Sequence, residues 1–256
     1  VNVTEPSWPG DPTGNKSNVL QWGRERVRAG AWRGNATIAY VHPVPGSPLP
    51  SSEFVRRCLR TLARQGYARV VTGALAPFEQ VAFRAAGFEP SEHLHLLSHD
   101  LRAIPALPML QSEGHRDTAV LRRSTRADRD AVLDVDGIAF DPFWRLDDAG
   151  LDEAISATPH SRFRVALLND QLTGYAVTGR AGRRGYLQRL AVHPDAQRQG
   201  IGTALVVDAL RWLRRWRAER AMVNTQLGNE RALALYERVG FRRESSGLAV
   251  LAADLA

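Results

Sequence analysis

Apolar residues recur along this chain at two spacings, every second residue and every third or fourth, and the two kinds of stretch alternate. Residues 186–192 read as a strand. Residues 201–217 carry the helical period: Ile201, Leu205, Ala209, Leu213 and Trp216 share one face, which is expected to be core. Trp212 and Trp216 are accordingly read as packing residues rather than as platforms for stacked bases. A strand at 221–226 and a helix at 229–239 follow, then Gly240-Phe241 and a strand ending at Asp254-Leu255. Upstream, a short strand is expected at 118–122. A capping-box-like Thr125-x-x-Asp128 opens a helix that runs to about Phe140. A second helix at 147–157 stops before Pro159. Residues 162–168 and 172–178 read as a hairpin turning at Asn169-Asp170.

The same order of signals occurs once before. Tyr40-Val-His-Pro43 precedes a helix at 51–65, a strand at 67–74, a helix at 78–86, Gly87-Phe88 and a strand ending at Asp100-Leu101. Pro43 and Pro194, Phe88 and Phe241, and Leu101 and Leu255 are offset by 151, 153 and 154 residues, which argues for duplication. Residues 1–17 are polar and rich in Pro and Gly and predict a flexible arm. Residues 102–116, stiffened by Pro105 and Pro108, predict a linker. The expected division is therefore an arm at 1–17, a first unit at 18–101, a linker at 102–116 and a second unit at 117–256.

Between strand 186–192 and helix 201–217 lies Gln197-Arg198-Gln199-Gly200-Ile201-Gly202-Thr203. Such a loop aims several backbone N–H groups at one point, and the helix dipole adds positive potential there, so it suits a phosphate. The spacing is not that of a dinucleotide fingerprint or a P-loop. The flanks add specificity. His193-Pro194-Asp195 precedes the loop, and Asn229-Glu-Arg-Ala232-Leu-Ala-Leu-Tyr236-Glu-Arg-Val-Gly240-Phe241 follows it. Over roughly 118–255 this combination resembles the GNAT superfamily of acyl-CoA-dependent N-acetyltransferases.

The resemblance implies an α/β fold, a GNAT-like mixed central sheet flanked by helices, here preceded by a truncated GNAT-like half. It implies acetyl-CoA as co-substrate and no metal. It assigns the pyrophosphate to the backbone of Gln199, Gly200, Ile201, Gly202 and Thr203, with the side chains of Gln197 and Arg198 beside it. It runs the pantetheine arm along the backbone of Leu190, Ala191 and Val192, where one N–H polarises the acetyl carbonyl. Asn229, also a natural helix N-cap, adds a contact. Tyr236 becomes the proton donor to the coenzyme A thiolate. The positions where many relatives carry a basic Glu fall on Gln188 and Asn224, which accept no proton at neutral pH. A water held by those amides, a carboxylate from the first two helices, or no dedicated base all remain open. In the first unit, Val44-Pro-Gly-Ser-Pro-Leu-Pro50 stands in place of the loop, and its three prolines remove three donors. Phe83 falls near the place of Tyr236. That unit is expected not to bind cofactor productively.

Charge adds one feature. Residues 128–153 hold nine carboxylates and two arginines inside a chain of net charge +7. With Phe140, Phe143 and Trp144 alongside, this reads as an acceptor mouth for a cationic amine, small or peptidic, or as solvated helix faces. Asp141 and Trp144 are the first candidates for substrate contact. Lys16 is the single lysine among 34 basic residues, so arginine dominates the surface. No helix-turn-helix or RNP-like signature accompanies it, so nucleic acid is not expected as a partner. Cys58 is the single cysteine and reads as a small apolar residue. His93, His95 and His99 alternate without a cluster at ligand spacing, and His193 reads as structural. No apolar run suits a membrane span and no leader pattern is seen, so a cytoplasmic protein without a membrane partner is expected. The first unit is expected to pack on the second or to form a homodimer. The leading function is transfer of an acetyl group from acetyl-CoA to a primary amine by direct attack in a ternary complex. The alternative is a non-catalytic acyl-CoA sensor or interaction module.

Overall fold

In the computed structural model, which describes residues 18–107 and 119–255, the chain forms two units. Unit 1 comprises the residues up to His95 together with Ser245–Ala256, and unit 2 comprises Leu96–Glu244. The expected arm at 1–17, part of the linker and Thr118 lie outside the described residues.

Unit 1 begins as an antiparallel meander of β1 (Asn18–Trp22), β2 (Glu25–Trp32) and β3 (Asn35–Pro43). The sequence pattern did not announce β1 and β2. Glu25, Arg26 and Arg28 hide the alternation that buries Val27 and Ala29. α1 (Ser52–Arg64), β4 (Arg69–Thr72), α2 (Pro77–Ala85) and β5 (Glu89–His99) follow, with β4 parallel to β3.

Unit 2 opens with β6 (Val120–Arg123). The Asp128 carboxylate then accepts from Thr125 N at 2.7 Å and from the Thr125 hydroxyl at 2.8 Å, and the chain passes through a 3-10 turn into α3 (Arg129–Ala139). α4 (Asp148–Ser156) precedes β7 (His160–Leu168) and β8 (Gln171–Ala181), a hairpin whose Asn169 and Asp170 both take positive φ, as its tight turn requires. β9 (Arg184–Val192), α5 (Ile201–Arg215), β10 (Arg220–Gln226), α6 (Glu230–Val239) and the two-residue β11 (Arg242–Arg243) complete it. The strands run β10-β9-β8-β7-β6, antiparallel except for β10 on β9.

The last strand, β12 (Leu248–Asp254), belongs to unit 1, where it pairs antiparallel with both β4 and β5. The boundaries therefore differ from those expected at 101 and 117. The chain crosses between units inside β5 and crosses back after Glu244. Partners so far apart in sequence leave no local signal.

The expected repeat has a structural counterpart in detail. Gly87 and Gly240 end α2 and α6 at φ of +100° and +109°, a conformation that favours glycine. The next residue then donates back in each case, Phe88 N to Phe83 O at 3.1 Å and Phe241 N to Tyr236 O at 3.0 Å. The rings of Phe83 and Phe88 meet at 5.4 Å, and those of Tyr236 and Phe241 at 5.7 Å. Among the described residues unit 1 has no counterpart of β6, α3 and α4.

Each unit has its own core. In unit 1, Phe54, Val55, Cys58 and Leu62 of α1 pack with Val70, Phe83 and Leu251. Burial pushes the Cys58 thiol up to about 12, which suits a packing residue. In unit 2, one sheet face packs on α5 and α6, and the other packs Tyr175 and Val177 on α3 and α4. One expected core residue is misplaced: Trp216 is 54% exposed because α5 ends at Arg215, and the ring falls at its C-cap. No helix among the described residues is long and apolar enough to cross a membrane.

Candidate functional site

The site starts from a parting of strands. β10 pairs with β9 at three positions only, from Arg220↔Arg184 to Met222↔Tyr186. Beyond them β9 keeps β8 on its other side as far as Val192↔Gly174. The edge of Leu187–Val192 that faces β10 thus presents backbone N–H and C=O groups without a strand partner, a template for an extended chain. A bulge at Gln188 sharpens the parting, because Val177 pairs with Arg189 and Thr178 with Leu187, leaving Gln188 extra.

β9 feeds the loop. Arg198 and Gly200 take φ of +65° and +81°, and α5 starts at Ile201. The first bond into α5 is Ala204 N to Gly200 O at 2.9 Å, so the N–H groups of Ile201, Gly202 and Thr203 are left over. The Ile201 side chain is buried in the core, and only its backbone serves the loop. The Gln197 side chain is a brace: its Nε2 donates to Val192 O at 3.2 Å, and its Oε1 accepts from Arg231 at 3.3 Å. Gln199 braces likewise on Asp195 O at 3.3 Å. Arg198 is exposed, with its guanidinium free of carboxylates among the described residues. A Cβ at Gly202 would meet Leu235 at 3.2 Å and Val192 at 3.7 Å, so glycine there lets α5 close on α6 and β9.

Asn229 caps α6, its Oδ1 accepting from Ala232 N at 3.0 Å, which leaves its NH2 available. Tyr236 is buried, with Leu233 and Val239 on the same helix face, and burial pushes its phenol well above the ordinary tyrosine range.

On the α3 side lies an arrangement the sequence reading missed. Asp136, fully buried, accepts from Arg189 Nε and Nη2 at 2.7 and 2.8 Å, from the Tyr175 hydroxyl at 2.5 Å and from Leu146 N at 2.6 Å. Arg189 also donates to Trp144 O at 2.7 Å and lies 3.4 Å over the Phe140 ring. One ion pair thus ties β9 to the segment 140–146 that follows α3. The available signal was an arginine in mid-strand between the apolar Leu187 and Leu190.

The acidic segment is largely structural. Besides Asp136, Asp128 pairs with Arg122 at 2.6 Å, and Asp148 and Asp152 both pair with Arg129. The guanidinium of Arg122 holds the Asp128 carboxyl below the usual range. Asp141 is exposed at the start of a turn, where its carbonyl accepts from Trp144 N at 2.8 Å. Gln188 packs its amide on Gly179, where a Cβ would stand 2.7 Å from it, and its Oε1 is buried with no hydrogen-bond partner among the described residues. Asn224 is exposed on β10, on the face opposite the buried Val223 and Thr225. No metal-binding cluster occurs among the described residues.

Unit 1 builds the corresponding place differently. β3 and β4 pair at four positions, Ile38↔Arg69 to Val41↔Thr72, and Gly73 N then donates to Val41 O at 3.3 Å, so these strands stay together. At the start of α1 the Glu25 carboxylate accepts from Ser51 N and from Ser51 Oγ, the latter at 3.2 Å. The helix end that would attract an anion already has one.

Residues 130–241 match the model of the acetyltransferase (GNAT) family. The chain carries a GNAT domain. A 62-residue stretch is 40% identical to N-alpha-acetyltransferase 30 of Xenopus laevis, covering 24% of this chain and 23% of that protein. An 84-residue stretch is 33% identical to the Schizosaccharomyces pombe protein of that name, covering 31% of this chain and 56% of that one. The chain thus spans about a quarter of the Xenopus relative and just over half of the yeast one. Among solved structures, a tandem GNAT protein from the clavulanic acid biosynthesis pathway superposes with a TM-score of 0.66 at 13% identity, covering 93% of this chain and 82% of that one. A GCN5-related N-acetyltransferase from Kribbella flavida gives 0.60 at 12% identity, covering 94% and 90%. At such identities the likeness concerns the fold alone. The GNAT model covers the free edge of β9, the loop, α5 and α6 in one run.

Proposed function

We infer that unit 2 transfers an acetyl group from acetyl-CoA to a primary amine, and that unit 1 binds no cofactor. The parting of β9 from β10 directly ahead of the loop carries this reading, since it joins a free backbone edge to an unsatisfied helix N-terminus. The residues present fit the cofactor: the edge of Leu190, Ala191 and Val192 suits the amides of pantetheine, and the N–H groups from Gln199 to Thr203, with Arg198, suit a pyrophosphate. Acetyl-CoA supplies the thioester. An N–H of the free edge polarises its carbonyl, Tyr236 donates a hydrogen bond to the departing thiolate, and the orphaned Gln188 Oε1 accepts from the attacking amine.

The acceptor class follows from what is missing. Gln188 and Asn224 take no proton, so the amine must arrive largely uncharged. An α-amine, with a pKa of about 7.7–8.0, is neutral for about a tenth of the time at pH 7, whereas a lysine at about 10.4 is almost never so. A peptide α-amine is therefore favoured, in keeping with the N-alpha-acetyltransferase relatives. With such an acceptor, kcat/KM measured by thiol release should rise about tenfold from pH 6 to 7 and level off above pH 8. A plateau already reached near pH 6 would mean that a protein carboxylate takes the proton.

The same two amides also suit a second reading, a sensor that binds acyl-CoA without turnover. Retained acetyl-CoA binding with no thiol release for any amine would decide for it.

A further inference from the structure

One pole of unit 2 gathers arginines from segments far apart in sequence. Arg180 lies near the end of β8, Arg184 opens β9, and Arg214, Arg215 and Arg217 lie at and just beyond the end of α5. The pairs Arg180↔His160 and Arg184↔Arg220, and the bond from Glu219 N to Arg183 O at 2.7 Å, set these segments side by side. Elsewhere in unit 2 many arginines meet a carboxylate, as Arg162 and Arg164 both meet Asp208. At this pole, among the described residues, only Arg183 and Arg220 have carboxylate partners, Glu219 and Glu244. The five arginines named first have none among the described residues.

Among them stands Trp216, the exposed residue at the α5 C-cap. The His160 ring stacks on it at 6.5 Å and 17°, and the Arg180 guanidinium lies 5.9 Å from its ring centre. Arg180 Nε is buried without a hydrogen-bond partner among the described residues. An exposed indole with one guanidinium beside its ring, and four more without carboxylate partners among the described residues on the adjoining segments, suits a ligand that carries both flat rings and phosphates.

We propose that this pole binds single-stranded RNA without sequence preference, a base stacking on Trp216 and phosphates pairing with the surrounding guanidiniums. A duplex offers no unstacked base to such a ring, whereas RNA presents them in loops and ends. An acidic peptide would use the charges and leave the indole idle. A lipid surface would find one apolar anchor, since no other large exposed hydrophobic side chain among the described residues belongs to these segments. The proposal does not depend on acyl transfer.

The test uses the full chain and labelled oligouridine of about 12 nucleotides, followed by fluorescence anisotropy at about 50 mM salt. Saturable binding is expected, weakening with salt along a log–log slope of about −3, as for about four phosphates on a single strand. Trp216→Ala should lower affinity about tenfold. Arg214→Glu with Arg217→Glu should lower it by more than about tenfold, and both variants should keep the parent's thermal unfolding midpoint, because the side chains lie at the surface. Absence of saturable binding overturns the proposal, as does affinity unchanged in both variants. Equal or tighter binding to duplex DNA of the same length, to polyglutamate or to phosphatidylserine vesicles also overturns it.

Discussion

Asp136→Ala is expected to destabilise unit 2 by about 3–5 kcal/mol, the usual result of breaking a buried ion pair from one side. The carboxylate has no exposed surface and receives four hydrogen bonds, two from Arg189 and one each from Tyr175 and Leu146. Its removal leaves a buried guanidinium and a buried phenol short of acceptors. For a unit of this size the thermal midpoint should fall by about 10 °C or more. The size of the loss comes from the orphaned charge, so the double variant Asp136→Leu with Arg189→Met should recover much of it. Calorimetric or dichroism melts of the three proteins decide the matter. A midpoint for Asp136→Ala within about 2 °C of the parent would show that the network does not hold α3 to β9.

Tyr236→Phe is expected to lower kcat about a hundredfold while leaving acetyl-CoA affinity within about twofold. Burial raises the phenol's pKa, so it stays protonated wherever the enzyme would work. A thiolate, whose conjugate acid lies near 8.5, gains from such a donor as charge develops on sulfur. The substitution removes one oxygen and keeps the ring on Phe241, so the fold should be unaffected. The chain offers its own comparison: Phe83 holds the equivalent place on Phe88 in unit 1, where no parted strands stand ahead of the helix. An unchanged kcat would remove Tyr236 from the mechanism.

What was legible in the sequence was mostly local. The Asn169-Asp170 turn, the Thr125/Asp128 box, the Gly-Phe helix ends and the glycine loop each encode their geometry within a few residues. The glycine turn ahead of α5 and the helix that carries Tyr236 could be placed that way, because their signals are a spacing and a periodicity. Long-range pairing was not legible. β12 joins unit 1 across about 180 residues of chain, Ala252 pairing with Val71, and nothing in its own composition says so. Asp136 and Arg189 are 53 residues apart, and the carboxylate looked like one of nine acidic residues until its partner was in view. Trp216 fitted the helical period, yet the helix ended one residue earlier. β2 was hidden because its half-buried and exposed positions are written in Glu and Arg.

The central claim, a single acyl-CoA site in unit 2, is tested most directly by calorimetric titration of the full chain with acetyl-CoA beside Gly202→Glu. One site per chain is expected. The variant should lose binding, because the new carboxylate opposes the phosphates at the start of α5 and crowds Leu235 and Val192. No heat of binding for the parent, or two sites per chain, or a site that survives Gly202→Glu would contradict it.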